Sequence, residues 1–486
     1  MANEYLDALL FCDGRQGFSS GSCEECCDTN VQAIYRCQQC FNGGLLCQNC
    51  CVNHHHHLPL HQIETWDSGC FEHTTLFELG LVVQLGHGNC PSPNLKKGAS
   101  SFTVIHINGL HKVLIYFCDC STAPHAHIQL LHSGWFPVTV VLPQTCATFN
   151  ILRHFHLLSL QSKLSAHQFY CALKRGTNNT GLLNLQCGGC AHDPSGTDGM
   201  KPGKLAITCP ACPDPDINLP PNWEKSPQEL QYLYTYFQAN DANFHLKNCL
   251  NTVIDVDLGT RWSYFQGAQT EMSTCSGLAA IDHANTKNSK GLHITGVGAS
   301  ICTHHGFLHP LGIGNLQKGE CFSNMDYIIF STLRGYSPPS LALSYDLICQ
   351  YWTKIRQCMP WLPPELWVDL DKLSVKLFLP KLHALAHKSE CSVLYSLNFT
   401  PGVGCTDGEG IEWEWAEINI AANSTKEMSE GACHDTLDDL LSDKNFWKEI
   451  GLGKSLLMKL KTTQVESAKH VEQFKSFTGG LDPATV

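Results

Sequence analysis

The chain has 486 residues, 43% of them hydrophobic and 16% charged, which is enough apolar material for two or three domains with a sizeable core and excludes a wholly disordered protein. A formal net charge of −12 argues against non-specific affinity for nucleic acid, because phosphate neutralisation needs Lys and Arg. No apolar run approaches the roughly 18 residues of a membrane span, and residues 1–20 lack the basic start and apolar core of a signal peptide, so the expectation is a soluble intracellular protein without a membrane partner.

Residues 1–65 hold the densest Cys/His cluster and read as one small module. Residues 66–175 form a second unit, with β-like runs at Phe102 to Ile107, Val113 to Phe117 and Val138 to Leu142 and a helical stretch from Phe149 to Leu173. Residues 176–229 are rich in Gly, Pro, Asn and Asp (TNNTG, HDPSGTDG, CPACPDPD) and read as a cysteine-bearing linker. From 230 to 430 strand-like and helix-like segments alternate, as in an α/β domain. Tyr232 to Phe237 is β-prone and runs into Asp241, and Leu341 to Tyr345 ends at Asp346 before a helix-compatible LICQYWTKIRQC. Residues 431–486 are charged and helical.

The 28 cysteines fall largely into short-range pairs, which suit zinc chelation better than chain cross-linking. The first cluster reads Cys23-x2-Cys26, Cys37-x2-Cys40, Cys47-x2-Cys50, followed by the run His54 to His57 and then His61. Three CxxC pairs with two histidines supply eight donors, enough for two tetrahedral sites. Interleaved pairs of this kind form a cross-brace, which assigns Cys23, Cys26, Cys47 and Cys50 to one ion and Cys37, Cys40, His55 and His61 to the other. The choice of His55 within its run is open, and Cys51 is a spare thiol. His87, Cys90, Cys118 and Cys120 make a further candidate across a hairpin, although ordinary buried thiols would give the same spacing. Cys209 and Cys212, with His192 or Cys187 and Cys190 as partners, make a weaker one. Two or three structural zinc ions are expected, each replacing a core that a small module cannot build.

Phosphodiester cleavage and strand transfer need two hard cations about 4 Å apart, so carboxylates must converge from separate elements. Asp241 in DANF, Asp346 in SYDLICQ and a glutamate in DGEGIEWEWAEIN are spaced 105 and 66 residues apart and meet that need. Taken singly, each is a common surface acid. His383 and His387 in KLHALAH, at helical i, i+4 spacing, either face such a site, bind metal or form a structural pair.

The ordered segments DANFHL, STCSGL, DHANTKNSKG, GVGA, LQKGE, NMDY, SYDLICQ, LNFTPGVG, TDGEGIE, STKEM and DTLDD resemble the signature blocks of the Kyakuja-Dileera-Zisupton (KDZ) transposases, a family abundant in mushroom-forming fungi. YLDALL, CQQCF, LLCQNCC, LPLHQIETW, LGLVVQLGH, INGLHKV, FCDC, WFPVTV and FHLLSLQSK similarly resemble the CxC-type cysteine cluster attached to those transposases. The resemblance implies an α/β fold of RNase H-like DDE type, a mixed sheet flanked by helices, behind small zinc-binding β-rich domains. It implies Asp241 and Asp346 as catalytic acids with Glu412 as the third, Glu409 being the alternative. Glu412 is preferred because Trp415 and Ala416 follow it as in the last catalytic helix of related enzymes. It further implies two Mg²⁺ ions, replaceable by Mn²⁺, no small-molecule cofactor, transposon-end and target DNA as partners, self-association on DNA, and a nuclear location.

Only seven of the 32 Lys and Arg residues are arginine (Arg15, Arg36, Arg153, Arg175, Arg261, Arg334 and Arg356), beside 26 histidines. Deamination of methylated CpG converts arginine codons to His, Cys or Gln codons, so the skew fits a silenced, decayed copy; compositional drift is the plainer reading. The chain is also short of the family pattern before HDP, between Trp262 and Glu271, and after Val486, so the segment from 431 reads as truncated. A catalytically inactive zinc-dependent DNA or chromatin adaptor, or a protein-interaction module, is the rival function.

Overall fold

A computed structural model describes residues 2–480 apart from 19–21, 29, 42, 68, 87–92, 163, 178–195, 216, 252–254, 256, 258, 260, 267–290, 335–337 and 339. His87, Cys90, Cys187, Cys190, His192, the block STCSGL and nearly all of DHANTKNSKG lie outside the described residues. The chain divides into two compact units, Met1–Gln186 and Cys187–Val486.

The first unit opens with a three-stranded antiparallel sheet of β1 (Tyr35–Cys37), β2 (Ile63–Asp67) and β3 (Cys70–Thr74), with the helix Gln48–His54 between β1 and β2. Its apolar cluster is small, built on Ile63, Leu76, Leu79, Leu81 and the thiols of Cys37 and Cys51. Next come β4 (Val82–Gln84), β5 (Leu95–Lys97), β6 (Phe102–His106), β7 (Gly109–Cys118), β8 (Trp135–Pro137) and β9 (Thr145–Thr148), in the order β4-β7-β6-β9-β8 with β5 also on β7. Phe102 and Val104 on β6, and Val113, Ile115 and Phe117 on β7, alternate into one core, the period-2 pattern of a sheet buried on one face.

Two sequence expectations change here. Val138 to Leu142 is an exposed bend rather than a strand, with Val141 88% accessible. The segment lies in the loop that joins β8 to β9, which pair with each other, and it leaves β8 with the Val138 amide donating to the Thr145 carbonyl at 3.0 Å. The helical stretch is two helices, Phe149–Ser162 and Ala166–Thr177. Ser165 starts the second: its hydroxyl accepts from the Gln168 amide (3.2 Å) while Gln168 Oε1 accepts from the Ser165 amide (3.2 Å), a reciprocal N-terminal cap.

The second unit is built on a mixed sheet of β10 (Thr235–Asn243), β13 (Gly296–Cys302), β14 (Leu308–Leu316), β15 (Ser340–Tyr345) and β16 (Ser374–Phe378), with a small β11–β12 pair (Asn248–Cys249 and Leu292–Ile294) beside it. The order is β14-β13-β10-β15-β16. β10 lies in the middle, antiparallel to β13 and parallel to β15, and β16 continues parallel to β15. It begins three residues later than Tyr232, which belongs to a 3-10 turn, Gln228–Tyr234. On one face Ala239, Ala299, Ile301 and Ile313 pack with Trp415 and Ile418 of the helix Gly410–Ile418 and with Leu437 and Leu441 of the helix Glu430–Thr478. On the other lies the helix Phe322–Ser331, seated closely because Gly298 lacks a side chain; a Cβ there would meet Met325 Sδ at 2.7 Å.

LICQYWTKIRQC makes two short helices, Ile348–Tyr351 and Ile355–Cys358. Part of the segment expected as linker packs into this unit: Ala206 and Ile207 are buried, and Asn445 Nδ2 donates to the carbonyls of Ile207 (2.9 Å) and Leu308 (2.9 Å). The last helix runs 49 residues, but its buried residues end at Phe446. Among the described residues no helix is long and apolar enough to cross a membrane.

Candidate functional site

In the first unit the side chains of Cys23, Cys26, Cys47 and Cys50 bring four sulfur atoms within 4.8 Å of one another, and Cys37, Cys40, His55 and His61 do the same with two sulfurs and two nitrogens. Cys47 precedes the helix Gln48–His54, which carries Cys50 and ends on His55, so one short helix serves both groups. His55 is buried while His54, His56 and His57 are exposed. Its Nδ1 lies 2.7 Å from the Cys51 carbonyl, which takes up one ring nitrogen and turns Nε2 toward Cys40 Sγ, 3.6 Å away. Burial raises the Cys23 thiol, but the amides of Cys26, Cys47 and Glu25 outweigh it and bring it down to about 6. These two groups have the donor chemistry of zinc sites. Cys118 ends β7, its amide donating to Gln129 Oε1 (2.9 Å) and its carbonyl accepting from Gln129 Nε2 (2.9 Å), and Cys120 follows just beyond. The histidine and cysteine proposed to join them, His87 and Cys90, are not among the described residues.

In the second unit, Asp241 and Asp346 stand at the same end of adjacent strands. The parallel register pairs Asn240 with Tyr345, so Asp241 and Asp346 are the next positions along, on strands about 4.8 Å apart. Strand alternation puts Phe237, Ala239 and Asp241 on one face, with Ala342, Ser344 and Asp346 beside them. The helix Gly410–Ile418 covers that face. From it Trp415 Nε1 donates to Asp241 Oδ2 at 2.7 Å. The DGEG turn enters the helix at Gly408, with φ of +82°, where a Cβ would lie 2.9 Å from Ser344 Oγ. Only glycine fits so strained and close an approach.

Burial, then the neighbouring Asp346 and Glu412 charges, push Asp241 up to about 7 against the opposing Ala242 amide and Trp415 bonds. Burial also raises Asp346, with His383 and His387 pulling it down and Glu412 adding to the rise. Three acids therefore share one electrostatic neighbourhood. Asp346 Oδ1 is buried with no hydrogen-bond partner among the described residues, as an oxygen reserved for a cation would be.

The two glutamates are differently placed. Glu409 is buried and spends Oε1 on the Leu382 amide (2.7 Å), whereas Glu412, in the first turn of the helix, is exposed with Oε1 3.6 Å from His383 Nε2. His383 and His387 do not share a helical face. His383 opens a one-turn 3-10 segment, His383–Ala386, and His387 follows it; the two diverge, His383 to the glutamates and His387 to Cys349 and Cys391, with its Nδ1 3.6 Å from Cys349 Sγ. Cys209 and Cys212 are met by Cys302 and His305, a pair that sequence reading missed because it lies about 90 residues further along the chain.

Residues 234–445 match the family described as Kyakuja-Dileera-Zisupton transposase, and residues 76–181 match the CxC2 like cysteine cluster associated with KDZ transposases. No curated protein and no solved structure shows a significant match to the chain. The chain thus carries, in order, a segment similar to the CxC2 cysteine cluster and a segment similar to the Kyakuja-Dileera-Zisupton transposase domain.

Proposed function

We propose that the chain is a metal-dependent DNA transposase of the DDE type on an RNase H-like sheet, with Asp241, Asp346 and Glu412 as its acids. The observation that carries this is the placement of Asp241 and Asp346 side by side at one end of two parallel central strands, under a helix that brings Glu412 into their field. The order β14-β13-β10-β15-β16, with one antiparallel half and one parallel half, supports the RNase H-like reading.

These acids would hold two Mg²⁺ ions, and bound Mg²⁺ supplies activation of an attacking oxygen and charge neutralisation at the leaving oxygen. The chain's own residues prepare the site. Trp415 fixes the Asp241 carboxylate through Oδ2 and so leaves Oδ1 pointing elsewhere. Burial and mutual repulsion keep Asp241 partly protonated near neutral pH, so it gives up its proton when positive charge arrives. Glu409 ties the Leu382 amide and acts as a positioning residue for the loop carrying His383. The proposed partners are element-end and target DNA, with self-association on DNA in the nucleus; the zinc modules would present the binding surface.

The net charge of −12 with seven arginines favours a second reading, a decayed adaptor that binds DNA or protein without cutting. The test uses the full chain with Mg²⁺ or Mn²⁺ and duplex DNA from the ends of its own element. Cleavage leaving a free 3′-hydroxyl, lost in Asp241→Asn and Asp346→Asn, supports the transposase; binding without cleavage by the wild type selects the adaptor.

A further inference from the structure

The second unit contains a cluster that the catalytic reading does not use. Cys209 and Cys212 sit on a tight turn, the Cys212 amide donating to the Cys209 carbonyl at 3.3 Å. Asn218 closes this loop from behind, its Nδ2 donating to the carbonyls of Cys212 (2.6 Å) and Pro210 (3.1 Å). Cys302 ends β13, and His305 follows on the turn into β14, where the Gly306 amide donates to the Cys302 carbonyl at 2.8 Å.

The two turns, some 90 residues apart in sequence, point their donors at one another. Cys209 Sγ lies 3.3 Å and Cys302 Sγ 3.4 Å from His305 Nδ1, and Cys212 Sγ lies 3.1 Å from Cys302 Sγ. All four donor atoms fall within 4.8 Å. Tetrahedral zinc bonds of about 2.3 Å to sulfur and 2.0 Å to nitrogen place donors roughly 3.5 to 3.8 Å apart, close to this spread. Cys302 is 1% accessible and Cys212 9%, so water does not satisfy these sulfurs. Two chelating pairs on turns, with three sulfurs, one imidazole and little solvent, match a closed structural site.

We propose that Cys209, Cys212, Cys302 and His305 bind one structural zinc ion, which fastens the Pro-rich connection before β10 to the central sheet. The ion would sit beside the strand that carries Asp241: Cys302 pairs with Gln238, and the Thr303 amide donates to the Phe237 carbonyl at 3.1 Å. The inference stands apart from the catalytic reading, because an inactive chain needs the fastening as much as an active one.

The full chain is purified without chelator and its zinc counted by elemental analysis. The double variant Cys209→Ser/His305→Ala should hold one zinc fewer than the wild type, and His305→Cys should hold as many. In the wild type, mass mapping after alkylation should find Cys209, Cys212 and Cys302 protected until a strong chelator is added, a readout that needs no variant to fold. Equal zinc in the wild type and the double variant, labelling of the three cysteines at the same rate with and without chelator, or a Cys212–Cys302 disulfide in the mass map would each overturn the proposal.

Discussion

Replacing Asp241 with Asn removes a charge that the fold resists and the proposed metal requires, so the two effects should separate by pH and by metal. In the folded chain the carboxyl is held at about 7, chiefly by burial and then by Asp346 and Glu412, well above the ordinary value near 3.8. A folded-state pKa above the unfolded one means that the fold binds the extra proton. Its stabilising contribution is complete below about pH 4 and is lost as pH rises through about 7. Fully ionised, the group costs the metal-free fold at most about 4 kcal/mol. Asn keeps the shape and the Trp415 contact without the charge. With chelator at pH 8, Asp241→Asn should therefore melt several degrees above the wild type, at about 2 to 4 °C per kcal/mol. At pH 4 the two should melt together. With Mg²⁺ at pH 8 the order should narrow or reverse, because only the wild type gains by binding. Thermal melts at two pH values, with and without Mg²⁺, read this directly. A variant that tracks the wild type under all four conditions would refute the shared-charge account of the site.

Other outcomes can be checked alongside. Trp415→Phe removes a hydrogen bond to a carboxylate worth about 1.5 to 3 kcal/mol, so the pH at which Mg²⁺ begins to stabilise the chain should move upward; an unchanged pH profile would show that the bond does not tune Asp241. Asn445→Ala should cost about 3 kcal/mol, seen as a lower melting temperature, because it strips partners from the Ile207 carbonyl and from both backbone groups of Leu308. Cys23→Ser and Cys37→Ser should each remove one zinc from the first unit in elemental analysis, since they belong to different donor groups. If codon decay produced the charge of −12, restoring Arg at His, Cys and Gln positions outside the cysteine clusters should tighten DNA binding and steepen its salt dependence in a titration at several ionic strengths.

What could be read from the sequence depended on how far apart the cooperating residues lie. The three CxxC pairs and the histidine run sit within about 40 residues, and local spacing alone suggests the groups that the fold assembles. Asp241 and Asp346 could be marked because each follows a β-prone run, a local signal, although only the parallel register makes them neighbours. Cys302 and His305 carried no such signal toward Cys209, since their spacing becomes a chelating pair only once β13 and its turn exist. The misreadings have local causes of another kind. In KLHALAH the i, i+4 spacing implied one helical face, but the segment turns once and opens at His387, whose ψ of 164° is extended. At Val138 to Leu142 apolar content suggested a strand, but the segment is the exposed loop between the paired strands β8 and β9.

The parallel pairing of β10 with β15 also sets where this gene can tolerate damage. Because the two aspartates are aligned by ladder register, the length of the intervening chain is free to change so long as both strands still pair. A change of chain length between the two strands leaves the alignment of the acids intact only where it spares the core residues Leu246, Tyr264 and Phe265 and the contact of Thr332 with Gln238. A single-residue slip inside Thr235–Asp241 or Ser340–Asp346 would turn one carboxylate to the opposite face of the sheet. Two stretches of about seven residues are thus the part of the sheet where a shift of frame would separate the two aspartates, and a related sequence with a slip there could not seat both on one face.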